Sequence, residues 1–206
     1  MSKDKYPDTV KELWEERVKS TPNKIFLAEN GKHYTYQDID ELAKKQGERL
    51  VNYGVKKGDL VSLQFELDVE DIVNILACIK LDLVINPLNP HFDLDEVKNL
   101  VYRFKPYLII TQSAPRGRDT LFGIDSLTDY RIDSYDDCKV FIRDQHETCL
   151  ASADNEADNP VVILNTSGTT GPPKGVVLTN KNVLSAEYAY NKAFEVNKDD
   201  MIAIPS

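Results

Sequence analysis

Apolar residues follow two different periods along this chain, and the alternation between these periods predicts its fold class. From about residue 60 to residue 111, short apolar runs typical of buried strands alternate with segments whose apolar residues recur every three or four positions, as in helices. The predicted elements are, in chain order, Leu60–Phe65, Val69–Leu81, Leu83–Asn86, Asp93–Phe104 and Tyr107–Thr111. Strands and helices that alternate at this spacing form parallel sheets with right-handed crossovers. We therefore predict an α/β fold, a mostly parallel sheet with helices on both faces.

The region before this core predicts a helix, a hairpin and a second helix. Thr9 and Glu12 have the spacing of a capping box. Trp14 lies on the apolar face of the helix that follows, so we expect it in the core rather than at a ligand. The dipeptide Asn30-Gly31 between two short strand-like runs predicts a hairpin. The second helix ends near Gly54 and places the following residues on one side: Ile39, Leu42, Ala43 and Leu50.

The last part of the chain predicts a linker and then a strand, a loop and a strand. Residues 112–150 carry one predicted strand, Lys139–Ile142, and Ser152–Asn159 has the composition of an exposed linker. Two apolar runs flank the loop, and a helix follows from Asn180, a good N-cap residue, to about Phe194. The two runs are Val161–Leu164 and Val176–Leu178, and a further strand is expected to begin at Met201. We predict an N-terminal α/β subdomain at residues 1–151, a linker at 152–160, and at 161–206 the loop-bearing start of a larger domain.

The composition excludes several classes of partner. The chain has 206 residues and a formal net charge of −9, whereas nucleic acids and anionic membranes are bound by basic surfaces. No apolar run approaches the length of a membrane span, and the N-terminus lacks the apolar core of a signal peptide, so we expect a cytoplasmic protein. The cysteines and histidines show no metal-ligand spacing, so we expect no metal site and neutral, buried thiols. These residues are Cys78, Cys138, Cys149, His33, His91 and His146.

The loop between the last two predicted strands carries the candidate chemistry. Residues 166–175 read Thr-Ser-Gly-Thr-Thr-Gly-Pro-Pro-Lys-Gly. Glycines let backbone N–H groups approach phosphate oxygens, hydroxyls add donors, and Lys174 supplies a charge for a terminal phosphate. The candidate nucleotide-binding residues are Thr166, Ser167, Gly168, Thr169, Thr170, Gly171 and Lys174. The spacing differs from that of the P-loop, and a hairpin that binds nothing is the alternative.

This loop resembles the signature loop of the adenylate-forming enzymes, which include acyl-CoA synthetases and the adenylation domains of peptide synthetases. Three upstream segments resemble the same family: Tyr34–Ile39, Gly54–Asp59 and Ala77–Pro90. The chain departs from the family where Lys80-Leu81-Asp82 replaces the usual Lys-Ala-Gly, and where Asn180 replaces a common histidine. The resemblance covers nearly the whole chain and implies an incomplete N-terminal portion of the adenylate-forming enzyme fold.

For a longer enzyme, the resemblance implies that ATP with Mg²⁺ activates a carboxylic acid to an acyl-adenylate, and that the acyl group then passes to CoA. It implies that Ser167, Thr169 and Thr170 bond the phosphates, while the catalytic residues lie in a C-terminal portion absent from this sequence. The chain alone is therefore expected to be inactive. We expect a role in fatty acid metabolism because ligases of this kind are frequent there, and no residue of the sequence indicates the acid. Two alternatives stay open: an adenylation domain that loads a carrier protein, and a truncated, non-catalytic remnant.

Overall fold

The computed structural model describes residues 6–64, 68–112, 127–136, 138–146, 150, 153–166, 174–197 and 200–202. In this part of the chain the helices are α1 Val10–Ser20, α2 Tyr36–Asn52, α3 Val69–Lys80, α4 Leu94–Phe104 and α5 Asn180–Ala193. The strands are β1 Ile25–Glu29, β2 Lys32–Thr35, β3 Leu60–Gln64, β4 Val84–Leu88, β5 Leu108–Gln112, β6 Tyr130–Tyr135, β7 Cys138–Arg143, β8 Pro160–Thr166 and β9 Lys174–Thr179. A short 3-10 helix, Glu156–Asp158, precedes β8.

One mixed sheet organises the fold. Among the described residues it has seven strands in the order β6-β7-β5-β3-β4-β8-β9, while β1 and β2 form a separate hairpin. The central strands β5, β3, β4 and β8 are parallel. The outer strands β7 and β6 on one side, and β9 on the other, run antiparallel to their neighbours. The sheet is thus parallel at its centre, which confirms the predicted α/β class.

Helices cover both faces of this sheet, as the sequence predicts. The core layer beneath α2 and α3 contains Leu50, Val61, Ala77, Cys78, Ile85 and Ile110. The layer beneath α4 contains Leu88, Val97, Leu100, Ile109 and Phe141. Successive residues of a strand point to opposite faces, so the neighbours Ile109 and Ile110 belong to different layers.

The local signals near the N-terminus are confirmed. Thr9 and Glu12 form the predicted capping box at the start of α1. Asn30 (φ 49°) and Gly31 (φ 78°) both have positive φ, as a type I′ hairpin turn requires. Trp14 is 7% exposed and packs in a core cluster with Ile39.

Several element limits differ from the sequence patterns, and each difference has a physical reason. β4 extends past the predicted end at Asn86, because Leu88 adds a buried side chain to the layer beneath α4. β6 is missing from the prediction because it contains no apolar run and four of its six residues are exposed. Leu42 is 40% exposed, since it lies at the margin of the buried stripe of α2. Met201 and Ile202 lie in no strand, and residues 203–206 of that prediction lie outside the described residues.

The predicted division of the chain crosses a continuous sheet. β8 and β9 belong to the same sheet as β3, β4 and β5. The predicted linker contains the 3-10 helix, and Asn155 caps that helix by accepting a hydrogen bond from the Ala157 N–H at 3.2 Å. The division into residues 1–151, 152–160 and 161–206 stays a prediction.

Asp82, where the family usually has glycine, adopts a left-handed backbone conformation with φ 54°. Glycine takes this conformation freely, whereas a residue with a Cβ is strained there. The Asp82 carboxylate lies 3.3 Å from the Lys11 ammonium and 3.7 Å from the Lys57 ammonium. Asp82 therefore has a strained backbone conformation, but its carboxylate also forms an ionic contact between α1 and the turn before β4.

The N-cap of α5 is Thr179, and the prediction of Asn180 for this role is wrong. Thr179 and Asn182 form a reciprocal capping box, because each side chain accepts from the backbone N–H of the other. The Asn180 side chain accepts from the Val10 N–H at 3.0 Å and donates to the Glu156 carbonyl at 3.0 Å. Helix geometry leaves the first N–H groups of α1 without an intrahelical partner, and Asn180 supplies one. Asn180 thus ties α1 to α5 and to the 3-10 helix.

A buried carboxylate, Asp40 of α2, joins α1, α2 and α3. Its oxygens accept hydrogen bonds from Trp14 Nε1 at 2.9 Å, Lys44 Nζ at 2.7 Å and Lys80 Nζ at 2.7 Å. Burial opposes ionisation of this group, but the hydrogen bonds from Lys44, Lys80 and Trp14 outweigh burial and hold the pKa of Asp40 below its ordinary value. The junction therefore depends on an ionised aspartate.

We expect acid to weaken this junction. The pKa of Asp40 is lower in the folded chain than in the unfolded chain, so its contribution to stability is complete above the ordinary aspartate range. The contribution is lost as the pH falls below that range and through the folded-state pKa. Asp40→Asn should lower the free energy of unfolding at pH 7 by about 1–3 kcal/mol and flatten the acid dependence. Urea unfolding followed by the fluorescence of Trp14, the one tryptophan of the chain, measures both effects.

Asp136→Asn is the matched control for this prediction. Asp136 pairs with Arg49 at 2.9 Å but its side chain is 69% exposed, so its loss should cost less than about 1 kcal/mol. An Asp40→Asn protein that keeps the acid dependence of the parent would contradict the role given to Asp40.

Candidate functional site

The two ends of the predicted loop, Thr166 and Lys174, lie at the carboxyl edge of the parallel strands. β8 runs parallel to β4, so its last residue, Thr166, leaves the sheet at the edge where β3, β4 and β5 also end. Open α/β sheets bind their ligands at this edge, where the connections to helices on opposite faces leave a crevice. β9 starts at the same edge and returns antiparallel to β8. The ends of the loop are therefore fixed at the position where a ligand is expected.

Thr166 and Lys174 form the last residue pair between β8 and β9. Thr166 Oγ1 donates a hydrogen bond to the Lys174 carbonyl oxygen at 3.1 Å. Both residues are exposed. The hairpin thus places one cationic side chain at the carboxyl edge, beside the first residue of the loop.

The structure describes these two of the predicted nucleotide-binding residues and brings them together. The others lie outside the described residues, and they are Ser167, Gly168, Thr169, Thr170 and Gly171. The phosphate-binding roles of the whole set stay predictions. The Thr166 hydroxyl, predicted as a phosphate donor, closes the hairpin in this structure.

Two asparagines that no sequence pattern marks as site residues lie on the strands next to Thr166, the first residue of the loop. Asn86 of β4 is 1% exposed, and its Nδ2 donates to the Ile163 carbonyl at 2.8 Å and to Asn165 Oδ1 at 3.1 Å. Asn165 of β8 donates from its Nδ2 to the Pro87 carbonyl at 3.0 Å. The sequence carries only an indirect signal for this pair: Pro87 cannot donate a ladder hydrogen bond, but this does not identify the side chains that bond around it.

Close packing accounts for the glycine that follows Lys174. A Cβ at Gly175 would lie 2.7 Å from Phe104 Cε1 and 2.8 Å from Ile163 Cγ2, closer than real Cβ contacts. Phe104 ends α4 and Ile163 lies in β8. The absence of a side chain at Gly175 therefore lets α4 approach the base of the hairpin.

The cysteine thiols and His146 lie in surroundings that account for them as parts of the fold. Burial raises the pKa of the Cys78 and Cys138 thiols to about 12, which keeps both neutral as predicted. Cys149 lies outside the described residues. His146 Nε2 lies 2.8 Å from the buried Asp59 carboxylate. Among the described residues, no group of three or more His, Cys, Asp and Glu side chains is placed to bind a metal ion.

The helices in the described part of the chain include no membrane-spanning segment. None of them combines the length and hydropathy that crossing a bilayer requires.

Comparison with known proteins adds a family match. The family described as AMP-binding enzyme matches residues 14–206. The chain is 27% identical to gramicidin S synthase 2 of Brevibacillus brevis over 202 residues, which are 96% of this chain and 4% of that protein. It is 28% identical to oxalate–CoA ligase of Arabidopsis thaliana over 205 residues, which are 96% of this chain and 40% of that protein.

A solved structure shares the fold. The o-succinylbenzoate CoA synthetase from Bacillus subtilis, in complex with an acyl-adenylate intermediate, has a TM-score of 0.69 with this chain at 20% identity. The likeness covers 91% of this chain and 47% of that one. This chain spans less than half the length of each of these three relatives.

Proposed function

The chain belongs to the family of AMP-binding enzymes, and on this premise we propose that its natural protein activates a carboxylic acid with ATP. A carboxylate oxygen of the acid attacks the α-phosphorus, the bond to the bridging oxygen of the β-phosphate breaks, and pyrophosphate leaves. The product is an acyl-adenylate, a mixed anhydride. In the second step, a thiol attacks the acyl carbon, AMP leaves, and a thioester forms.

The pairing of Thr166 with Lys174 is the observation that supports this proposal most directly. Leaving pyrophosphate is highly charged, and catalysis requires donors and a cation that are already in place when it departs. The β8–β9 hairpin holds both ends of a loop with the sequence Thr-Ser-Gly-Thr-Thr-Gly-Pro-Pro-Lys at the ligand-binding edge. With a net charge of −9, the protein attracts ATP through local groups rather than through its overall field.

Mg²⁺ accompanies ATP in this family's chemistry, but the described residues of this chain do not fit a protein-held ion. They contain no cluster of carboxylates, imidazoles or thiols arranged as a ligand set. We therefore assign no step of the reaction to a metal bound by these residues.

We propose CoA as the acyl acceptor and a carrier-protein thiol as the second candidate. Oxalate–CoA ligase, to which 96% of this chain aligns, is named for the first type of acceptor. Gramicidin S synthase 2 is named as a synthase rather than as a CoA ligase, and it supports the peptide-synthetase alternative, in which a carrier protein receives the acyl group. Both reactions share the adenylation step, so the phosphate loop has the same task in either.

The test is ATP–pyrophosphate exchange by the full-length natural protein against a panel of acids. Fatty acids come first, as predicted, followed by aromatic acids, short-chain acids and amino acids. We expect exchange above background with at least one class. Thioester formation with free CoA then separates a ligase from a carrier-loading enzyme. A folded full-length protein that binds ATP but exchanges no pyrophosphate with any acid would identify the non-catalytic remnant instead.

A further inference from the structure

β4 and β8 are neighbouring parallel strands, and β8 leads into the phosphate loop at Thr166. Their parallel register contains one described residue pair, Ile85 with Val162. Two residues further along β4 stands Pro87, which has no N–H to donate to the ladder. Buried backbone carbonyls nonetheless need hydrogen-bond partners. At Pro87 the attachment of β8 to β4 therefore lacks one backbone donor, and side-chain donors can add to it.

Two side-chain amides supply this attachment in both directions. Asn86 Nδ2 donates across to the Ile163 carbonyl of β8 at 2.8 Å, and Asn165 Nδ2 donates back to the Pro87 carbonyl of β4 at 3.0 Å. The two side chains also bond to each other at 3.1 Å. An amide can donate and accept at once, so one asparagine on each strand is sufficient for this reciprocal bridge.

The bridge is anchored in the buried centre of the sheet. Asn86 Oδ1 accepts from the Ser62 hydroxyl of β3 at 3.1 Å, and both residues are 1% exposed. The hydrogen-bonded chain therefore runs from β3 through β4 to β8. Buried polar networks whose members are all bonded are rigid, because breaking one bond leaves a polar group without a partner.

The last residue of this hydrogen-bonded series, Asn165, is adjacent to both ends of the loop. Asn165 directly precedes Thr166. It pairs across the hairpin with Gly175 of β9, which directly follows Lys174. We propose that Asn86 and Asn165 are positioning residues that fix the paired loop ends, Thr166 and Lys174, relative to β4, an inference that rests on the function proposed above. They act through the loop and touch none of the reacting atoms.

Asn165→Ala in the full-length protein is the variant that tests the inference. It removes the bond to the Pro87 carbonyl and the bond from Asn86 Nδ2, but leaves Asn86 bonded to the Ile163 carbonyl, so the fold should persist. A mispositioned loop binds the phosphates poorly, and we expect the KM for ATP to rise about tenfold, the order of magnitude that the loss of one or two hydrogen bonds produces. The KM for the acid should stay within about twofold. Steady-state ATP–pyrophosphate exchange measures both constants, and Asn165→Ser replaces Asn165→Ala if the latter does not fold.

Asn74→Ala is the matched control. Asn74 is a buried asparagine that accepts from Gln46 Nε2 at 2.8 Å, and it lies on α3 rather than on β4, β8 or β9. We expect it to lower stability without a selective change in the KM for ATP. If Asn165→Ala raises the KM for ATP and for the acid equally, or matches Asn74→Ala, the bridge has only a structural role and the inference is overturned.

Amide hydrogen exchange separates this inference from the proposed function, because it needs no activity. Asn165→Ala and Asn86→Ala should speed exchange in the peptides that cover β8 and β9, whereas Asn74→Ala should not. Unchanged exchange in these peptides would overturn the positioning role even in an active enzyme. Faster exchange in a protein without adenylation activity would keep the bridge as the anchor of the loop and reject the proposed reaction alone.

Discussion

Lys174→Ala should lower kcat/KM for ATP in the pyrophosphate-exchange reaction by about 10- to 150-fold, which corresponds to one charge-assisted hydrogen bond of about 1.5–3 kcal/mol. Lys174 is the first residue of β9 at the carboxyl edge of the parallel strands, and its carbonyl oxygen accepts a hydrogen bond from the Thr166 hydroxyl. If its ammonium contacts the terminal phosphates, the variant loses affinity for ATP and keeps its affinity for AMP, which lacks those phosphates. Calorimetric titration of the full-length protein with each nucleotide measures this difference.

Lys181→Ala is the control for this experiment. Lys181 is also an exposed lysine, but it lies in the first turn of α5, after β9 has crossed to the opposite edge of the sheet. It should leave exchange and nucleotide affinity unchanged. Lys174→Met, which keeps most of the aliphatic stem, should behave like Lys174→Ala. Equal losses for ATP and AMP in the Lys174 variants would show that the residue supports the fold of the hairpin rather than the phosphates.

The central fold is predictable from the sequence because its signals are local. Each parallel strand is a short apolar run, and each crossover helix shows apolar residues at helical spacing. The cap at Asp93 and the turn at Asn30-Gly31 are likewise encoded by neighbouring residues. The strand–loop–strand order around Thr166 and Lys174 follows from the same local pattern, and the structure places these two residues opposite each other.

The support beneath the loop is less predictable because it joins distant residues. Asn86 and Asn165 are 79 positions apart, and the contact of Asn180 with Val10 spans 170 positions. No local period marks such pairs. The wrong N-cap prediction for Asn180 has the same cause. Its local sequence fits a helix N-cap, but Thr179 takes that position, and the Asn180 side chain instead bonds to α1 and to the 3-10 helix.

Gly175→Ala should lower the free energy of unfolding by about 1–3 kcal/mol, the usual cost of forcing an extra methyl group against closely packed neighbours. The new methyl group would lie 2.7 Å from a ring carbon of Phe104 and 2.8 Å from Ile163 Cγ2. Ile163 is β-branched and sits in a strand, so it cannot rotate away cheaply. Because the Ile163 carbonyl also accepts the Asn86 hydrogen bond, a shift of β8 should disturb the loop and raise the KM for ATP as well.

Gly47→Ala is the matched control, and we expect it to raise the free energy of unfolding rather than lower it. Gly47 lies inside α2, and a Cβ there would meet Leu81 Cδ1 at 3.8 Å, an ordinary contact. Alanine is the better helix former, so the free energy of unfolding of this variant should be higher than that of the parent by about 0.5–1 kcal/mol. Urea unfolding of both variants, followed by Trp14 fluorescence, compares the two glycines directly. If Gly175→Ala is as stable as the parent, the close approach of α4 to the hairpin tolerates a side chain, and the glycine after Lys174 needs an explanation other than packing.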